Sequence, residues 1–295
     1  MLTGNHDVPR KSLLSRRFVR RLAGPRSVAA TLAALAVWPA GTAASRPDSS
    51  ASARALSAPE NRAAPAVPSP AQLRSAARFA ATRGGVVAYA VVDSRGRMHS
   101  RNATRTFPSA SLGKTLLLAA TLRRYARAEV PPEVRARLGP MIRESDNAAA
   151  YAVYRGLGDP PLRAVARAAG LRHTTFNGTW SNIRLTAPDV ARLFLRMERL
   201  VPARHRRYAM ALLGGVVPSQ SWGIPHALRP RGWSVRFKGG WRRDLVHQGA
   251  LAERNGRRVA LAILTSGNPP HDDAHAHGRA TLDGIARRLL TRARR

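Results

Sequence analysis

The 295-residue chain contains no cysteine. That excludes disulfides, thiolate metal centres and a cysteine nucleophile. Lysine is nearly absent as well: of 50 basic residues only Lys11, Lys114 and Lys238 are lysine, and the remaining 47 are arginine. Aromatic residues make up 5%, and between Asp159 and Asp189 there is no Asp or Glu. The apolar run Val28–Trp38 falls short of the ~20 residues that cross a bilayer. No internal repeat and no nucleic-acid motif is present. The formal charge of +34 would by itself suggest nucleic acid or an anionic surface, but the arginines are spread along the chain. No nucleic-acid partner is expected.

What is present divides the chain into three. Residues 1–44 read as an export signal: Arg16, Arg17, Arg20, Arg21 and Arg26 precede the apolar run, and Thr42-Ala43-Ala44 offers small residues for cleavage. Ser15-Arg16-Arg17-Phe18-Val19 hints at twin-arginine export, against an uncleaved anchor as the alternative. Cleavage there would leave a charge of +28. Residues 45–70, rich in Ala, Ser, Pro and Arg, read as a disordered linker. Residues 71–295 are long enough to bury a sizeable core as one domain.

Within that domain, residues 71–83 predict a helix and Gly85–Val92 a strand, turned by Asp93-Ser94-Arg95-Gly96 into a hairpin with Arg97–Asn102. Further helices are expected over Ala148–Arg155, Pro161–Ala169, Pro188–Arg199 and Pro202–Leu213, with a closing helix over Ala274–Leu290. Val235–Gly240, Val246–Ala252 and Val259–Thr265 read as three late strands.

The chemistry centres on Phe107-Pro108-Ser109-Ala110-Ser111-Leu112-Gly113-Lys114-Thr115. Pro108 and Ser109 mark a helix start, with Ser109 as the expected cap and a buried apolar helix behind it. Ser111 and Lys114, three positions apart, share a helix face. A serine hydroxyl becomes nucleophilic when a neighbour takes its proton, and an unprotonated lysine can do so. Arginine cannot, because it keeps its proton in proteins. Lysine retained where arginine is the default cation therefore marks chemistry rather than charge.

Ser145-Asp146-Asn147 and Lys238-Gly239-Gly240 follow in order. Ser-x-x-Lys, Ser-Asp-Asn and Lys-Thr/Ser-Gly are the set shared by class A β-lactamases and penicillin-binding proteins. The chain resembles that superfamily over roughly residues 75–293, with the third motif altered. The resemblance implies an α/β (α+β) fold: an antiparallel five-stranded sheet flanked by helices, with an inserted helical lobe. Few residues separate the first two motifs, so a reduced lobe and a more open groove are expected.

It also implies the roles. Ser111 is the nucleophile and Lys114 its base. Ser145 relays a proton to the leaving nitrogen and Asn147 binds the substrate amide. Asp146 supports the loop. Lys238 stabilises the substrate carboxylate or relays protons through Ser145. Gly240 lies beside the oxyanion hole, which the N–H groups of Ser111 and Trp241 would form. Class A β-lactamases carry a loop glutamate that activates the deacylating water, yet Arg172–Arg184 offers only His173, Asn177, Asn182 and hydroxyls. Glu144 and Glu198 are not where the family places its base. Gly239 stands where a hydroxyl residue is usual, so Arg242 or Arg243 is expected to help hold the substrate carboxylate; Gly239→Thr should then partly restore a missing anchor.

The remaining polar features read as structural. His271-Asp272-Asp273-Ala274-His275-Ala276-His277 is a polar loop with an Asp capping the last helix, His205 and His226 have no partner pattern, and Trp222 and Trp233 are packing or groove wall. No metal and no cofactor is expected. The reading is an exported, monomeric penicillin-recognising serine hydrolase acting on a β-lactam or a D-Ala-D-Ala-type cell-wall peptide, with slow deacylation. A true class A β-lactamase, or an idle protein held to anionic cell-wall polymer by its charge, are the alternatives.

Overall fold

The computed structural model describes residues 68–269 and 275–291. The expected export signal lies outside them, as do residues 45–67 of the linker and His271–Ala274. The linker's end is corrected: Ser69 and Pro70 belong to the first helix, α1 (Pro70–Ala81). Ser69 Oγ accepts the N–H of Gln72 at 3.3 Å, and Gln72 Oε1 accepts that of Ser69 at 2.8 Å. This reciprocal cap satisfies two donors that a helix start leaves unpaired.

The hairpin β1 (Val86–Asp93) and β2 (Met98–Arg101) follows, then a two-residue strand β3 (Phe107–Pro108) and a 3-10 turn over Ala110–Leu112. Five helices come next: α2 (Gly113–Arg124), α3 (Pro132–Arg143), α4 (Asn147–Leu157), α5 (Asp159–Ala169) and, after the short strand β4 (Arg184–Leu185), α6 (Ala187–Leu200). The chain ends in α7 (Ala203–Gly214), α8 (Ile224–Leu228), β5 (Ser234–Arg242), β6 (Leu245–Arg254), β7 (Arg257–Ser266) and α9 (Ala276–Leu290). Five strands form one antiparallel sheet in the order β2-β1-β7-β6-β5, while β3 and β4 pair separately. The expected fold is the one observed.

Strand alternation splits the core in two. Val87, Tyr89, Val91, Val235, Phe237, Leu261 and Ile263 face α1, α8 and α9. Ala88, Ala90, Val92, Leu251, Ala260, Ala262 and Leu264 face the helical lobe. The lobe is built on α2, whose residues Gly113–Leu122 are all buried. Such a helix is stabilised by burial on every side, at about 1.5–3 kcal/mol for each enclosed leucine. Leu117, fully buried, would cost on the order of 2–5 kcal/mol as alanine.

One expectation fails locally. Ser109 is not a side-chain cap: its hydroxyl donates to Trp180 O at 3.0 Å, and α2 proper begins at Gly113. The aspartates expected to cap the last helix, Asp272 and Asp273, lie outside the described residues. The short elements α8, β3 and β4 carry too few residues for a periodic signal.

Candidate active site

The sheet's edge strand β5 and the turn at its flank bring the three motifs together. Lys238 and Gly240 lie on the β5 face opposite Val235 and Phe237, and so toward the lobe. A Cβ on Gly240 would lie 2.9 Å from Ser111 N and 3.1 Å from Leu112 N. Only a glycine lets the strand come this close to the Ser111 turn. Ala110, at φ +45°, bends that turn in a conformation costly for a residue with a Cβ.

The turn is laced to residues 171–185. Ser109 N donates to Ile183 O at 2.7 Å and Ala110 N to Ser181 O at 3.0 Å. Gly113 completes the fit, since a Cβ there would meet Trp180 O at 2.0 Å. The far end of the segment is held by the fully buried Asp189, which accepts the N–H groups of Arg172 and His173 at 2.8 and 2.9 Å.

Ser145 sits between α3 and α4 at φ +64°. Pro140 O accepts the N–H groups of Glu144 and Asp146, both at 3.1 Å, and closes α3 just ahead of it. Asp146 Oδ1 accepts Ala149 N at 2.6 Å and so caps α4, the supporting role expected of it. Around Ser145 two buried lysines converge. Lys114 Nζ donates to Ser145 O, to Ser145 Oγ at 3.1 Å and to Asn147 Oδ1 at 2.8 Å. Lys238 Nζ donates to the same Ser145 Oγ at 3.0 Å and to Gly239 O at 2.9 Å. The three ammonium protons of Lys114 are thus taken in this state, none of them by Ser111.

Burial holds Lys114 down to about 8, against a smaller upward pull from the Asp146 carboxylate. Burial, and then the charge of Lys114, holds Lys238 well below the usual lysine range. A lysine at about 8 is neutral in about a tenth of molecules at pH 7, enough to serve as a base.

The cleft in front of these groups is lined by Ala110, Ser111, Asn147, Tyr151, Trp180, Ser181, Trp241 and Arg242. Its volume is about 260 Å³, and Trp180 and Tyr151 are the aromatic side chains on its wall beside Ser181 and Asn147. Trp180, 3% exposed, places its ring 4.7 Å from Lys114 Nζ and meets the half-exposed Tyr151 edge-on at 5.6 Å. Neither aromatic carries a motif in the sequence that would mark it. Glu198, by contrast, is occupied by Arg258 at 2.7 Å.

Arg242 reaches the cleft as expected, with both terminal nitrogens 3.0 Å from Asn182 Oδ1 and one 3.2 Å from Ser181 O. Arg243 turns the chain at φ +40° and does not line the cleft. A Cβ on Gly239 would press on the Trp222 ring at 3.2 and 3.3 Å, so the indole must give by a few tenths of an ångström for a threonine to fit. Trp222 meets Trp241 edge-on at 5.9 Å. Among the described residues no three metal-ligating side chains gather. His205 donates to or accepts from nothing in the cleft, bonding Tyr125 O at 2.9 Å, and His226 pairs with Asp283 at 2.7 Å.

A search of curated protein sequences found no match. Solved structures give many. A β-lactamase from Xanthomonas campestris pv. campestris is 20% identical at a TM-score of 0.64, covering 74% of this chain and 96% of that one. A β-lactamase from Desulfarculus baarsii is 22% identical at 0.65, covering 76% and 98%. A class A β-lactamase from Mycobacterium abscessus is 21% identical at 0.63, covering 74% and 98%. These likenesses establish the fold. Residues 129–292 match the model of the β-lactamase enzyme family, a span that begins after Lys114 and includes Ser145–Asn147 and Lys238. That span is more than half of the chain, which therefore belongs to the β-lactamase enzyme family and is a serine hydrolase.

Proposed function

We propose that the chain is an exported penicillin-recognising hydrolase that forms an acyl-enzyme on Ser111 and releases it slowly. The observation that carries this reading is the convergence of two buried lysines on one oxygen, Ser145 Oγ, at 3.1 and 3.0 Å beside the Ser111 cleft. An oxygen that accepts from two lysine nitrogens directs its own proton away from both, which on this reading is toward the substrate. Ser145 is then the donor to a leaving nitrogen. Lys114, once neutral, gains a lone pair and takes the Ser111 proton as the hydroxyl attacks the amide carbonyl. The N–H groups of Ser111 and Trp241 receive the developing oxyanion, each donor typically worth ~2.7–4 kcal/mol.

Asn147 orients the substrate amide, and Arg242 exchanges its neutral partner Asn182 for the substrate carboxylate, a stronger acceptor. The substrate is a β-lactam or a D-Ala-D-Ala-type peptide of the cell wall, and anionic wall polymer is a partner in keeping with the charge. No carboxylate of residues 160–188 is available to activate a second water, so the acyl group stays. Incubation with a labelled penicillin, followed by intact mass over time, tests this: a lasting adduct in the parent and none in Ser111→Ala is expected. Fast clearance without an adduct would instead favour a true β-lactamase, the reading in line with family membership. Secreted material should begin near Ser45; N-terminal sequencing that finds Met1 would overturn export by cleavage.

A further inference from the structure

Hydrolysis of an acyl-enzyme needs a water beside the ester carbonyl and a group to receive its proton. The water oxygen bonds to the carbonyl carbon, its proton passes to a base, the carbon–Oγ bond breaks and Ser111 Oγ takes a proton back. Such a water also needs two or more polar partners to be held in place. On the loop side of the cleft this chain offers the indole of Trp180.

Four observations hold Trp180 in place. Its carbonyl oxygen is held by Ser109 Oγ at 3.0 Å. The neighbouring Ser181 carbonyl accepts Ala110 N at 3.0 Å. Gly113 has no Cβ to keep the Trp180 backbone away. Tyr151 backs the ring edge-on at 5.6 Å. So held, the ring stands 4.7 Å from Lys114 Nζ, whose three hydrogen-bonding directions are already used on Ser145 and Asn147. The indole Nε1–H is buried without a partner among the protein's own groups, and an indole is a donor only, with no atom to accept a water's proton.

Resting on the acyl-enzyme reading above, we propose that Trp180 decides the fate of the acyl group: its ring bars water from the ester and from Lys114, so that the chain retains the acyl group rather than hydrolysing it. Trp180 is then the residue that separates retention from turnover on this scaffold. The absence of a loop carboxylate removes a base; the indole removes the water itself. These are separate obstacles, and they are separable by substitution.

The test is the lifetime of the penicillin adduct on Ser111, read by intact mass after excess label is removed. Trp180→Phe should keep the long lifetime, since an apolar ring remains. Trp180→Ala should shorten it. Trp180→Glu, which opens the space and supplies a base, should shorten it by about 100-fold or more, the usual contribution of general-base catalysis, and release hydrolysed penicillin. Loss of folding alone would slow acylation and could not accelerate release. Should the Trp180 variants fail to fold by circular dichroism, Ser109→Ala decides, because it removes only the bond to the Trp180 carbonyl: faster release supports the shield, and the parental rate overturns it. Trp180→Ala and Trp180→Glu variants that acylate yet release at the parental rate overturn it too. A parent that never takes label sinks the acyl-enzyme reading itself, and this inference with it.

Discussion

His247 Nε2 lies 3.1 Å from Pro108 O, three residues before Ser111, while His247 Nδ1 accepts the N–H of Thr265 at 3.2 Å. One partner accepts and the other donates, so the pair selects the neutral ring with its proton on Nε2. The buried imidazole meets Phe107 edge-on at 5.5 Å and ties the central sheet to the turn that presents Ser111.

Burial holds His247 down to about 4 from an ordinary 6.5. Between those values the unfolded chain binds a proton that the folded chain refuses, so stability falls as the pH drops from about 6.5 toward 4. The loss should approach ~3 kcal/mol from this residue alone. Urea unfolding at pH 7 and pH 4.5 measures it. His247→Gln should show a smaller drop between the two; an equal drop would assign the acid sensitivity elsewhere.

Acylation should rise with pH through about 8, where Lys114 loses its proton. Asp146 pulls that value upward, so Asp146→Asn should move the midpoint to lower pH while the amide still caps α4. Lys114→Arg should abolish labelling at every pH, because guanidinium keeps its proton. Stopped-flow acylation rates across pH 6–10 decide, and a midpoint unmoved in Asp146→Asn would detach the profile from Lys114.

Gly240→Ala should cut acylation on the order of 100-fold, the scale of a misplacement near 1 Å, because the new methyl would strike the Ser111 backbone nitrogen at 2.9 Å. Circular dichroism should stay near parental. Normal labelling in this variant would mean that β5 and the turn can part without chemical consequence.

Arg242→Ala should slow acylation by carboxylate-bearing penicillins roughly tenfold, the worth of one charge-assisted contact. Asn182→Ala should not slow it, since it only frees the guanidinium. Comparing a penicillin with its methyl ester isolates the effect: the ester should react with parent and Arg242→Ala alike. An ester that also loses tenfold would make Arg242 a support of the loop and not an anchor for charge.

Much of this was legible in the chain. β5, β6 and β7 announced themselves as apolar runs between turns, and α2 as a helix too apolar to be exposed. Lysine among arginines marked Lys114 and Lys238 before any geometry was seen. What could not be read was side-chain company across long separations. Trp180 lies 66 positions from Lys114, in a segment read for acids and hydroxyls and not for rings. Trp222 over Gly239 is equally non-local, its ring standing 3.2 Å from where a side chain at 239 would begin. Ser109 looked like a cap because its position matched one, but its hydroxyl found a better acceptor in a distant carbonyl.

The backbone bonds from Ser109 and Ala110 to Ile183 and Ser181 have a consequence for motion. The loop cannot swing aside alone, because its carbonyls are the partners of the very amides that shape the Ser111 turn. Opening one unravels the other, so the two should exchange their amide hydrogens as a single cooperative unit. On the proposed acyl-enzyme, a fluctuation wide enough to admit solvent would also dismantle the geometry that solvent needs.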